Sequence, residues 1–140
     1  MYSKVVVPTD GSEIGEKGVE EGLKVAQELE IPALAVYVVD LSEYDHVESD
    51  SVRDSVKNSK KKVGERALRF TRKKAHELGV DIQTQLLLGK PYKRILDVSK
   101  KDDIIFICSH GASGFSEIFF GSTTDKVVKN AECTVAVVRG

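Results

Sequence analysis

The chain lacks an excess of charge of either sign: 21 basic side chains stand against 22 acidic ones, a formal net charge of −1. Binding nucleic acid through a general basic field needs a surplus of cations, so that class is disfavoured. No apolar run approaches the roughly 20 residues that span a bilayer. Only two cysteines occur, Cys108 and Cys133. One ends an expected strand and the other precedes the next, so in a parallel sheet they stand at opposite strand ends, roughly 15 Å apart. Two free thiols are expected, as in a reducing compartment. His46 and His76 share no ligand spacing with any Cys, Asp or Glu, and no metal site is expected. Two phosphate-binding signatures are absent as well. There is no G-x-x-x-x-G-K-[ST], and no G-x-G-x-x-G follows the first strand, which disfavours a P-loop and an ordinary dinucleotide fold. Internal repeats, low-complexity tracts and interdomain linkers are also missing. Met1-Tyr2-Ser3-Lys4 enters a strand directly, leaving no room for a signal peptide, and a cytoplasmic location is expected.

What is present is alternation. With 41% hydrophobic and 31% charged residues, 140 residues suit one globular domain with a substantial core. Lys4–Pro8 reads as a buried strand. Residues 13–29 follow as a helix, with Ile14, Val19, Leu23, Ala26 and Leu29 at helical spacing. Ala33–Val39 is a second buried strand and 40–50 an acidic loop. Ser51–Leu78 is a long helix closed by Gly79. Its basic clusters, Lys60-Lys61-Lys62 and Arg72-Lys73-Lys74, read as a solvated face. Val80–Leu88 alternates as a half-exposed strand would, and Gly89-Lys90-Pro91 starts a short helix. The Ile104–Cys108 strand, a helix from Gly121 and the Thr134–Val138 strand complete the pattern. Apolar strands alternating with helices call for an α/β fold: a five-stranded parallel sheet, doubly wound, with helices on both faces.

In such sheets ligands bind beyond the strand carboxyl ends, where the strand order reverses. Two of those ends carry chemistry. Strand one runs into Thr9-Asp10-Gly11-Ser12, and strand four into Ser109-His110-Gly111 and, nine residues later, Gly121-Ser122-Thr123-Thr124. Glycines let a backbone approach a ligand closely, and a Gly-Ser-Thr helix start presents unpaired N–H groups at the positive end of a helix dipole. That arrangement suits an anion, above all a phosphate. Asp10 followed by Gly-Ser serves equally as a turn and helix cap, and Gly121-Ser122 as a plain helix start. An exposed loop histidine such as His110 is most simply solvated, and a reactive thiol at Cys108 is a minor alternative.

VVVPTDGS (5–12), VYVVD (36–40), LGKP (88–91), ICSHGASGFSEIFFGSTTDKVV (107–128) and TVAVVR (134–139) together resemble the universal stress protein family in its small single-domain form. The resemblance spans residues 1–140 as one nucleotide-binding domain. It implies a Rossmann-like sheet in the order 3-2-1-4-5 and a homodimer formed through the last strand. The family's ATP-binding members carry G-x2-G-x9-G-[ST], which Gly111 and Gly121-Ser122 match, while Cys108 falls where the first glycine stands. A cysteine there costs on the order of 1 kcal/mol if the position needs positive φ, and only crowding if it is extended. By position the resemblance puts Pro8, Val38 and Ile107 around an adenine, Asp10 at the base and ribose, and Gly111, Gly121, Ser122, Thr123 and Thr124 along the phosphates, with Cys108 beside them. The ligand it implies is ATP, with or without Mg²⁺.

Rapid phosphoryl transfer needs positioned cations and a positioned nucleophile. No lysine lies between Ser109 and Thr124 and the only acid there is Glu117, so at most a slow ATPase is expected. The reading is a nucleotide-responsive switch in stress response: ATP orders residues 109–120, and a surface with Phe115, Phe119 and Phe120 is read by a protein partner. Phe119 and Phe120 could instead pack against the sheet or a dimer mate. The alternative function is a dimeric interaction module of the same fold, its nucleotide site degenerate at Cys108. A response-regulator receiver shares the five-strand plan, but Asp10 and Asp40 do not supply its acidic cluster.

Overall fold

Three consecutive valines, Val5, Val6 and Val7, are fully buried, and they form the middle of the sheet on which everything else is arranged. The computed structural model describes residues 1–109 and 121–140. The expectations for His110, Gly111, Phe115, Phe119 and Phe120 therefore lie outside the described residues. The elements are β1 (Val5–Pro8), α1 (Glu13–Leu29), β2 (Ala33–Val39), a 3-10 turn (Ser42–Tyr44), α2 (Asp50–Leu78), β3 (Ile82–Leu88), α3 (Pro91–Asp97), β4 (Ile104–Ser109), α4 (Ser122–Asn130) and β5 (Thr134–Arg139). All sheet pairings are parallel, in the order β3-β2-β1-β4-β5. The fold expected from the sequence is the fold observed. Boundaries move by a residue or two, and the acidic loop 40–50 holds one 3-10 turn.

Strand alternation divides the core in two. Val5, Val7, Ala35, Tyr37, Ile104 and Phe106 face α1 and α2, while Val6, Leu34, Val36, Ile105 and Ile107 face α3 and α4. Each fully buried valine or isoleucine contributes about 1.5–3 kcal/mol of transfer free energy, so both layers are needed to hold the sheet. The edge strands β3 and β5 are half-exposed along their length. No described helix is long and apolar enough to cross a membrane.

Helix starts and stops follow local chemistry. Ser12 caps α1 by accepting from the Gly15 N–H at 3.0 Å, and Ser49 caps α2 through the Val52 N–H. Gly79 closes α2 in the left-handed conformation, φ 69°, which glycine adopts without the usual Cβ clash.

The position of α1 depends on a row of small residues. Gly15, Gly18 and Gly22 are buried on the sheet-facing side of the helix. A Cβ on Gly18 would lie 3.1 Å from the Cys108 nitrogen, and one on Gly22 would lie 2.5 Å from Val7 Cγ1 and 3.0 Å from Phe106 Cβ. The helix backbone thus rests directly against β1 and β4. Alanine at Gly22 gains up to about 1 kcal/mol of helix propensity, but overpacking against immovable core atoms costs about 1–3 kcal/mol. Gly22→Ala is therefore expected to lower stability by about 1–2 kcal/mol, measured as a lower urea midpoint at unchanged slope.

Candidate functional site

β1 is the shortest strand, four residues between a seven-residue β2 and a six-residue β4. The reason lies in one residue. The Val5 and Thr9 N–H groups donate to the β2 side, to Pro32 O and Val36 O, and the Lys4 carbonyl accepts from Ile104 of β4. Donors of β1 alternate in direction, so position 8 points its nitrogen at β4. Proline has no N–H to give there. The β1–β4 register accordingly runs through Val5–Ile104 and Val6–Ile105 and goes no further. At the other end the same two strands are tied by an ion pair between Lys4 and the buried Asp103. The sheet is closed at the bottom of its switch point and open at the top.

A crevice of about 170 Å³ fills that opening, and Pro8, Asp10, Val38, Ile107, Cys108, Thr123 and Thr124 line it together. These seven expected site residues therefore meet at one place. Of the remaining three, Ser122 lies on the rim of a neighbouring cleft, Gly121 is the N-cap of α4, and Gly111 lies outside the described residues. The crevice also takes Thr9, Gly15, Val36, Tyr37, Pro91 and Ile95, none of which the sequence reading assigned to the ligand. For Val36 a signal existed: it sits two residues before Val38 on the same strand face. Pro91 and Ile95 come from α3, whose packing no motif announces.

Asp10 serves the turn first. Its Oδ1 accepts from the Ser12 N–H at 2.9 Å and from the Ser12 hydroxyl at 2.5 Å, while Ser12 caps α1. A Cβ on Gly15 would lie 2.6 Å from the same oxygen, so the glycine makes room for the carboxylate. The turn role and an exposed position at the crevice coexist, because an ionised carboxylate has about four acceptor sites. Burial pushes the Tyr37 hydroxyl above its ordinary 10.0, and the negative charge of Asp10 adds to the shift.

Cys108 occupies an ordinary strand position within β4. Among the described residues the only non-glycine with positive φ is Glu30, so the cysteine carries no left-handed strain. Its sulfur sits on the α1 side of the sheet, 3.3 Å from where a Cβ on Gly140 would lie, and hydrogen-bonds weakly to the Ser109 carbonyl. The slot between Val38 and Ile107 opens on the opposite face, where those residues pack with α3 and α4. Burial raises the thiol pKa, only partly offset by the Gly18 backbone and Lys17; this is the reverse of an activated thiolate.

α4 begins without a side-chain cap at Gly121. The first intrahelical bond among the described residues runs from the Asp125 N–H to the Gly121 carbonyl at 2.9 Å, so the N–H groups of Ser122, Thr123 and Thr124 precede it at the positive end of the helix dipole. The buried Thr124 donates its hydroxyl to the Cys108 carbonyl at 3.1 Å, fixing the start of α4 to the end of β4. The site therefore combines an apolar slot, a carboxylate on one wall and backbone donors on the other.

The Universal stress protein family model matches residues 1–139. A universal stress protein of Methanocaldococcus jannaschii is 34% identical over 141 residues, covering 99% of this chain and 83% of that protein. The structure of the universal stress protein UspA of Lactobacillus plantarum superposes with a TM-score of 0.83 at 28% identity, covering 99% of this chain and 98% of that one. At fold level, a family protein of Arabidopsis thaliana with AMP bound gives a TM-score of 0.68 at 22% identity, covering 98% and 91%. A universal stress protein in complex with cAMP gives 0.70 at 19% identity, covering 99% and 97%.

Cys108, Cys133 and Tyr37 all have pKa values raised, chiefly by burial. Above the ordinary thiol value of 9.0 the unfolded chain has lost protons that the native chain retains. Stability is thus full below that value and falls as pH rises through the native values. Denaturation at pH 7 and pH 10 is expected to give the lower midpoint at pH 10, with a shallower decline in Cys133→Ser.

Proposed function

This chain belongs to the universal stress protein family, and from that premise we propose that it binds an adenine nucleotide and acts as a dimeric, nucleotide-responsive switch. The observation that carries the reading is the crevice at the switch point, where Pro8, Val38 and Ile107 form a flat apolar slot beside Asp10 and the start of α4. A purine ring suits the slot, the Asp10 carboxylate accepts from base or ribose donors, and first-turn amides of α4 meet the first phosphate. Relatives of the same fold seen with AMP and cAMP support this ligand class. ATP, with or without Mg²⁺, is the ligand proposed, and Gly111 is assigned to its phosphates by position alone.

The dimer is proposed at β5. It is an edge strand whose Val135, Ala136, Val137 and Val138 are only half-buried, and such an edge is open to pairing with a second copy. Residues 1–140 act as one domain in this reading, in the cytoplasm, with a protein partner that reads the nucleotide state. The competing reading, an interaction module with a lost nucleotide site, takes Cys108 as the mark of the loss.

Calorimetric titration with ATP separates the two. Because the Cys108 sulfur sits on the α1 side, Cys108→Gly is expected to change the affinity by no more than about threefold, while lowering stability through the cavity it leaves. A large gain in affinity would favour the degenerate site. No heat and no retention of ATP at millimolar concentration would leave only the interaction module.

A further inference from the structure

The base crevice continues past Pro91 and Thr123 into a second cleft of about 260 Å³, which both residues also line. Its character is different. Lys90, from the turn before α3, and Lys126, from the second turn of α4, both line it, together with Ser122 and Tyr92. Among the described residues neither ammonium has an ion-pair partner, and Lys126 lies over the Tyr92 ring at 5.1 Å from its centroid. That contact holds the charge at the cleft while leaving its donors to solvent. Asp125, the nearest acid on α4, is already paired to Lys129 at 3.1 Å. Among the described residues the one carboxylate in the cleft is Asp40, which accepts from the Ser42 N–H at 2.9 Å. Past Lys90 a third cleft brings in Asp45 as well as Asp40 against Lys57, so the excess of cations ends there.

We propose that Lys90 and Lys126 form a polyphosphate subsite, which makes the chain a receptor for nucleoside di- and triphosphates in preference to monophosphates. The inference rests on the adenine-nucleotide reading above and adds its specificity. A first phosphate held at the start of α4 leaves the second and third to run into the adjoining cleft. There two mobile ammonium groups meet the added charges, as compact point donors do. Asp40 is placed to share a divalent cation with those phosphates, the usual arrangement for Mg²⁺. Selection between nucleotides then depends on charge in an open cleft, so it weakens as salt rises.

The test compares AMP, ADP and ATP binding at low and high salt in the unsubstituted protein and in Lys90→Gln/Lys126→Gln. Lys101→Gln serves as the control for losing a lysine charge away from the cleft, since that exposed lysine precedes β4 at the opposite end of the sheet. Both target lysines are exposed, so folding is expected to be unchanged, checked by the urea midpoint. ATP is expected to bind at least about tenfold more tightly than AMP, and the double variant to lose most of that ratio while keeping its AMP affinity. Lys101→Gln should behave as the unsubstituted protein. Equal affinities for AMP and ATP, or a ratio unaltered in the double variant, overturns the subsite and leaves the base crevice standing. Inorganic tripolyphosphate gives the converse arm. Its retention by the unsubstituted protein and loss in the double variant upholds the lysine subsite even if AMP fails to bind, an outcome that removes only the base reading.

Discussion

The missing N–H of Pro8 is the constraint on which the rest of the molecule's chemistry depends. β1 and β4 are neighbours, and β4 carries apolar residues on past the point where their pairing stops. Tied at one end by Lys4 and Asp103 and deprived of a donor at the other, the two strands stop pairing at the reversal of strand order. The gap exposes side chains from three adjacent strands at once. A continuous ladder would have filled it with backbone hydrogen bonds, and no apolar slot would remain at the edge of a carboxylate.

Around that gap the packing is arranged to leave room. Gly15 yields space to the Asp10 carboxylate, and Gly18 and Gly22 bring the axis of α1 close to β4. The sulfur of Cys108 is taken up on that side of the sheet. Thr124 ties the first turn of α4 to the end of β4 through the Cys108 carbonyl, so the donors of the helix start are held in place by a hydrogen bond that uses the side chain and spares the backbone. Stability and site thus share residues. The interactions that fix the two walls also engage the Asp10 carboxylate and the Cys108 carbonyl.

Much of the architecture could be read from residue order. Continuous apolar runs separated by helical patterns identified a parallel sheet, because only strands buried on both faces carry that composition. Gly79 marked the end of α2 correctly because its left-handed backbone leaves few alternatives. Of the seven site residues that meet in the crevice, Asp10, Thr123 and Thr124 were legible as turn and helix-start chemistry, while Pro8, Val38, Ile107 and Cys108 were placed there by the family resemblance. The α3 contribution was not legible: Pro91 read as an ordinary helix start, and only the crossover places it and Ile95 at the slot. Asp10 was ambiguous between turn and ligand for a sound reason, since a carboxylate has enough acceptor sites for both.

By itself, then, the order of residues determined the strand sequence, the parallel sheet and which loops carry chemistry, because periodicity and turn propensity are local. Tertiary structure alone decided which face the Cys108 sulfur takes, since that follows from strand phase against α1 rather than from the motif. It also decided that lysines 36 positions apart, Lys90 and Lys126, line one cleft. Two helices on the same side of a sheet bring such residues together by packing, and nothing local in the sequence encodes that distance.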